Sequence, residues 1–169
     1  FRNWRSSLAS LLVFSVMLGF FVAAPFELRL TRASKWTYLE KVEGEVYINR
    51  NGRVWAADPH FALQEGDLIV TRQNSFVAIR FLDDSVTRLG ADTSLQIGAL
   101  HVHPDNAVNT RIELTLISGQ VWASVHNLIG GDSLFSIETD NARADVNSRA
   151  AFEISSLNAV TRLAVFDNM

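Results

Sequence analysis

Cysteine is absent from the 169 residues. Disulfides and thiolate-ligated metals are therefore excluded, and the fold has to rest on its apolar core in an oxidising or a reducing compartment alike. A basic excess is missing too: 15 Lys and Arg against 18 Asp and Glu leave a formal net charge of -3, which offers nucleic acid no positive field. Catalytic signatures are equally scarce. The chain has no Gly-x-Ser-x-Gly elbow, no phosphate-cradling glycine-rich loop opening a helix and no His-Glu-x-x-His. Asp83, Asp84 and Asp92 lack the alternating oxygen spacing of a calcium loop and read as turn residues whose carboxylates bond nearby amides. His101 and His103 would point the same way on a strand, but without a third ligand in sequence they read as an exposed strand end before Pro104. His60 and His126 stand alone in loops. The expectation is a chain that is not an enzyme, with no catalytic, cofactor or metal site.

What is present begins with residues 8–26, LASLLVFSVMLGFFVAAPF, a run without a charged residue. At a rise of about 1.5 Å per residue it matches the hydrocarbon thickness of a bilayer, so it is expected to be one transmembrane helix. Val22 and Ala24 would suit a signal-peptide cleavage site, but Pro25 follows at once, which favours an uncleaved anchor. Trp4 before the span and Trp36 and Tyr38 after it are placed like interfacial aromatics. Ser15, Gly19 and Ala23 form a small-x-x-x-small stripe on which another helix could pack closely. The span holds no histidine, so it lacks the usual ligand for a chlorin magnesium and is not an antenna polypeptide. The expected organisation is a flank at 1–7, the helix at 8–26, a juxtamembrane linker at 27–40 and a β-domain at 41–169. Residue 1 is Phe rather than Met, and the expectation is that further chain precedes it and follows Met169.

From Lys41 onward the pattern is β. Val46 and Ile48 alternate with Glu45, Tyr47 and Asn49, and Asn51-Gly52 is a two-residue hairpin signal leading into Arg53-Val54-Trp55. The densest stretch is residues 63–95. There Leu68-Ile69-Val70 is an apolar run, residues 72–75 are a turn, and Val77, Ile79 and Phe81 share the face of a half-buried strand. Asp83-Asp84-Ser85 and Gly90-Ala91-Asp92-Thr93 turn the chain again. Further faces are predicted from Leu95, Ile97 and Ala99, from Ile112, Leu114 and Leu116, and from Val121, Ala123 and Val125. Strands follow around Phe135, Ala142, Phe152 and Val160. About ten short strands at this spacing indicate an all-β domain, a compact β-solenoid or jelly-roll-like body. Residues 42–47 (VEGEVY) and 117–122 (ISGQVW) echo each other, which suggests two stacked half-domains.

The order Gly44-x-Val46, then Leu63-x-x-Gly66-Asp67-x-Ile69-x-Thr71, Asn74-Ser75, Phe81-x-Asp83-Asp84-Ser85-x-x-Arg88-Leu89-Gly90, Thr93-x-Leu95, Leu116-x-x-Gly119-x-Val121-Trp122-Ala123 and Phe135-x-Ile137-x-Thr139 resembles the FecR domain, named after the regulator of ferric citrate uptake. The likeness covers roughly Val42 to Ile154. Asp84 departs from it by standing where that family usually has Gly. Asn147-Ser148-Arg149 departs by standing where it usually has Arg-Gly-Thr. The resemblance implies a membrane-anchored protein of the bacterial inner membrane, single-pass, with its β-domain in the periplasm.

Two functions are expected from these features. In the first, the chain is a non-enzymatic accessory subunit of a larger membrane complex, held by its helix through Ser15, Gly19 and Ala23 and by its outer domain. Its interface aromatics would be Trp4, Trp36, Trp55 and Trp122, and its partners the complex's other subunits and the lipid bilayer, without nucleic acid. The alternative, implied by the resemblance, is an anti-sigma regulator that answers to an outer-membrane receptor. That reading requires chain before Phe1, because residues 1–7 are too few for a sigma-binding module.

Overall fold

The computed structural model describes residues 36–101, 109–126, 128 and 131–166. The chain divides into two compact units, Phe1–Ala33 and Ser34–Met169, and every described residue belongs to the second. The transmembrane helix expected at 8–26 lies outside the described residues. Among those, no helix is long and apolar enough to cross a membrane.

The strands are β1 (Tyr38–Glu43), β2 (Val46–Arg50), β3 (Arg53–Ala56), β4 (Leu68–Thr71), β5 (Phe76–Arg80), β6 (Val86–Leu89), β7 (Ser94–His101), β8 (Arg111–Val125), β9 (Leu134–Glu138), β10 (Arg143–Val146), β11 (Ala150–Leu157) and β12 (Val160–Phe166). They form one 12-stranded sheet, and every ladder is antiparallel except that of β8 with β9. The sheet is curled into two layers. One layer runs β1-β5-β6-β8-β11-β12 and the other β3-β2-β4-β7-β8-β9-β10. The 15-residue β8 belongs to both, pairing β7 and β9 through its first half and β6 and β11 through its second. The all-β class expected is the one observed, and of the two bodies expected, a β-solenoid or a jelly-roll-like one, the solenoid is not what forms. All the ladders but one are antiparallel, whereas a coil would need parallel rungs.

The core fills the space between the layers, and the period-2 faces predict it well. Val77, Ile79 and Phe81 from one layer meet Ile48, Ile69, Leu95 and Ile97 from the other, all buried. Phe81, Phe135 and Phe152 stack edge-on with centroids 5.8 and 6.3 Å apart, joining β9 to β11 across the gap in the geometry the ring quadrupole prefers. Ala99 departs from its expected face. The ladder with β8 slips between Ile97 and Ala99, so Ala99 stands opposite Glu113 while Leu100 takes the inward position opposite Ile112. A one-residue bulge at Gly98 reverses the alternation.

The fold line between the layers carries most of the sequence's turn motifs. Four crossings lie side by side along it: β1 into β2 at Gly44, β4 into β5 through residues 72–75, β6 into β7 through 90–93, and β8 at Gly119. Backbone hydrogen bonds stitch them in order, Arg72 N–H to Glu45 O at 3.0 Å, Thr71 N–H to Thr93 O at 2.9 Å and Gly90 N–H to Gln120 O at 3.0 Å. One device occurs twice. The Glu45 amide donates to Ser75 Oγ at 2.9 Å, and that hydroxyl donates to Gln73 O at 3.2 Å. The Gln120 amide donates to Thr93 Oγ1 at 3.1 Å, and that hydroxyl donates to Ala91 O at 3.1 Å. Each hydroxyl follows a residue in the left-handed region, Asn74 at φ 55° and Asp92 at φ 50°, where a short polar side chain is tolerated. Each is approached by a glycine of positive φ, Gly44 at 75° and Gly119 at 100°. A Cβ on Gly44 would sit 3.0 Å from Ser75 Cα and one on Gly119 2.5 Å from Thr93 Cα, so neither position has room for a side chain. The echo of VEGEVY in ISGQVW is this shared crossing.

Candidate interaction surface

Away from the fold line, two charged motifs hold loops in place. The carboxylate of Asp67, fully buried, takes the Arg50 guanidinium through both oxygens, Nε at 2.6 Å and Nη2 at 2.7 Å. It also accepts the Gln64 amide at 2.8 Å, while Arg50 reaches Ala62 O at 2.9 Å and lies over the Phe61 ring. The hydrogen bond that Arg50 donates to Asp67 raises the Arg50 pKa above its ordinary value. The work of this pair is to pin residues 58–63 against the outer edge of β1, where Leu39 N–H donates to Phe61 O and Leu63 N–H to Thr37 O. At the β5–β6 turn, buried Asp83 accepts the Ser85 hydroxyl at 2.7 Å and the Ser85 amide at 3.1 Å. Burial pushes its pKa up, against the lowering effect of those two bonds. Ser85 Oγ in turn accepts the His126 amide at the end of β8. Asp84 stands at φ 65°, which accounts for a position the FecR resemblance would fill with glycine.

These contacts are structural, and they absorb Asp83, Asp84 and Asp92. His101 is exposed, its Nδ1 3.5 Å from a Glu65 carboxylate oxygen, and His103 lies outside the described residues. Among the described residues no three His, Cys, Asp or Glu side chains are grouped as they would be around a metal ion. Trp4, Ser15, Gly19 and Ala23 also lie outside the described residues. Trp36 is 69% exposed and Trp55 37%, the latter on edge strand β3 opposite Ile48. Trp122 is half-buried on the outer face of the β1-to-β12 layer with the Arg88 guanidinium 4.5 Å over its ring, and Lys41 lies over Phe76 on the same face. Trp55 and Trp122 stand in different layers.

The other layer's outer face divides in two. Arg111, Glu113, Glu138, Arg143 and Asp145 form an exposed ion-pair network around β8, β9 and β10. At the far end Tyr47, Asn49, Val54, Leu68, Val70 and Arg72 line a shallow cavity of about 280 Å³. The sequence reading missed that patch, although a signal was there. Leu68-Ile69-Val70 does not alternate, so a strand built from it has to be apolar on both faces.

The arrangement defines a class: a β-scaffold in which the motif residues hold a fold line and loop clamps, and which presents flat outer faces of paired cations, aromatics and apolar patches. Such faces suit contact with another macromolecule. Within that class the family model described as FecR protein matches residues 67–169, and the chain belongs to the FecR family. No curated protein and no solved structure gives a significant match to it. The family match begins at Asp67, so Gly44, Arg50 and the first three strands precede it.

Proposed function

We propose that this protein is a FecR-type signalling regulator that acts by binding and catalyses no reaction. On this reading it is anchored in the bacterial inner membrane by residues 8–26. The β-domain, in the periplasm, receives a protein partner on an outer face, and the event is passed inward through the anchor. Membership of the FecR family over residues 67–169 carries the proposal. The described surface agrees with it, since its aromatic-cation pairs and apolar patch are features of protein-binding faces, whereas the family's turn motifs are occupied in holding the fold. The accessory-subunit reading differs in permanence: a subunit stays in its complex at fixed ratio, while a regulator meets its partner transiently. Purification in mild detergent followed by quantitative mass spectrometry separates the two. A regulator yields substoichiometric partners, lost when Arg88→Ala and Trp122→Ala are combined. Neighbours at constant one-to-one ratio, unaffected by that double variant, would overturn the proposal and favour the subunit.

A further inference from the structure

Among the described residues nine large hydrophobic side chains stand exposed, and five of them, Leu157, Val160, Leu163, Val165 and Phe166, lie at the end of β11 and on β12. β12 is an edge strand, laddered among the described residues to β11 alone, with the Thr161 hydroxyl at its start also bonded to Thr139 and Asn141. Of the other edges, β1 is covered by residues 58–63, β10 carries the charges of Arg143 and Asp145, and β3 is a short edge of four residues that begins with Arg53. β12, VTRLAVF, contains no proline and no acid, and its single charge is Arg162. An unguarded edge of this kind is a template for another strand.

The register states which strand fits. The β11–β12 hairpin turns through Asn158 and Ala159, with φ 50° and 61°, the type I′ turn that closes a hydrogen-bonded pair between its flanking residues. Here the flanking residues are Leu157 and Val160. By alternation, Val160, Arg162, Ala164 and Phe166 bond inward to β11, and Thr161, Leu163 and Val165 direct their N–H and C=O groups to the open edge. A two-fold axis at Leu163 would set each Leu163 against its copy as a hydrogen-bonded pair. Thr161 would then oppose Val165, and Arg162 would oppose Ala164. On the outer face Ala164 is paired with Glu153 of β11. Arg162 of one copy would thus look across the small Ala164 methyl to Glu153 of the other, two strand spacings or about 10 Å away at the backbone, a span these two long side chains close. Among the described residues neither Arg162 nor Glu153 has an ion-pair partner within its own chain.

From this charge complementarity we infer that β12 is a homodimer interface, in which two copies join their sheets antiparallel about Leu163. The pairing satisfies the open backbone groups, covers Leu163 and Val165, and creates two symmetric Arg162–Glu153 pairs. The absence of cysteine allows a clean test on the full chain in mild detergent. A hydrogen-bonded antiparallel pair holds its Cα atoms about 5.5 Å apart, within disulfide range. Leu163→Cys should therefore oxidise to a covalent dimer, while Ile117→Cys, exposed elsewhere, should not. Arg162→Glu and Glu153→Arg should each weaken dimerisation, measured by sedimentation, by about tenfold or more, and the double exchange should restore it. Both sites are outside the core, so circular dichroism should not change. A monomeric wild-type chain at about 10 µM with no Leu163→Cys cross-link overturns the inference. So does a dimer indifferent to the charge exchanges, or a Leu163→Cys cross-link to a different protein, which would give the edge to a foreign strand.

Discussion

The strands β1 and β12 border the same layer, yet one edge is closed and the other open. Against β1 the chain lays residues 58–63 and fixes them with the Arg50–Asp67 fork, so the backbone groups of Thr37 and Leu39 are satisfied from within. At β12 the side chains of Thr139 and Asn141 meet only its start, at Thr161, and Leu163 and Val165, on the face that carries buried Phe152 and Ile154, are 52% and 70% exposed. The difference teaches where stability and binding reside. The β1 half is finished by a buried charge that fits no partner but its own. The β12 end keeps apolar surface and backbone valence that a second chain can use.

The contrast breaks first at the fold line. Gly119→Ala places a methyl against the Thr93 backbone at a φ that side chains rarely adopt, and is expected to cost about 3–5 kcal/mol. Phe81→Ala, which empties the aromatic stack, should cost a similar 3–5 kcal/mol. Phe166→Ala on β12 should stay within about 0.5 kcal/mol in dilute urea denaturation, where the chain is monomeric. Equal losses at Phe81 and Phe166 would show that the β12 end is covered and the comparison mistaken.

A smaller effect sharpens the comparison at the closed edge. Asp67→Ala leaves the Gln64 amide and the Arg50 guanidinium without their acceptor. Because Arg50 keeps some access to water, the expected loss is about 2–3 kcal/mol rather than the full cost of an orphaned buried charge. Hydrogen exchange should quicken at Leu39 and Leu63 and remain unchanged at Leu157. Protection retained at Leu39 would mean that the loop holds the edge without the fork. The smallest change runs the other way. Asp84→Gly and Ala159→Gly each relieve a left-handed residue and are expected to raise stability by up to about 1 kcal/mol, with Ala159 gaining more because it has no polar side chain to bond locally. A loss at both positions in thermal melts would contradict the turn geometry.

Much of the strand pattern was legible in the chain. Val77, Ile79 and Phe81 read inward and are buried, and Asn51-Gly52 turns at φ 53° and 80° as a hairpin. These are local properties: alternation fixes a face, and Asn-Gly takes positive φ at low cost. The Ala99 face was misread because a bulge shifts the ladder without marking the composition. The continuous 15-residue β8 read as two strands, since a crossing glycine resembles a turn. Of the candidate site, the tryptophans were visible but their neighbours were not. The Arg88 guanidinium meets Trp122 only because β6 pairs with β8.

By itself the sequence determined an all-β class, its inward faces, its tight turns and its family, because period, turn chemistry and glycine placement act over a few residues. Tertiary structure alone decided that the turns align into one fold line, that Arg50 finds Asp67, and that β12 is left at an open edge. Each of these depends on strands far apart in sequence arriving side by side. Register and sheet order are set by the packing of the whole core, not by any segment's own preferences.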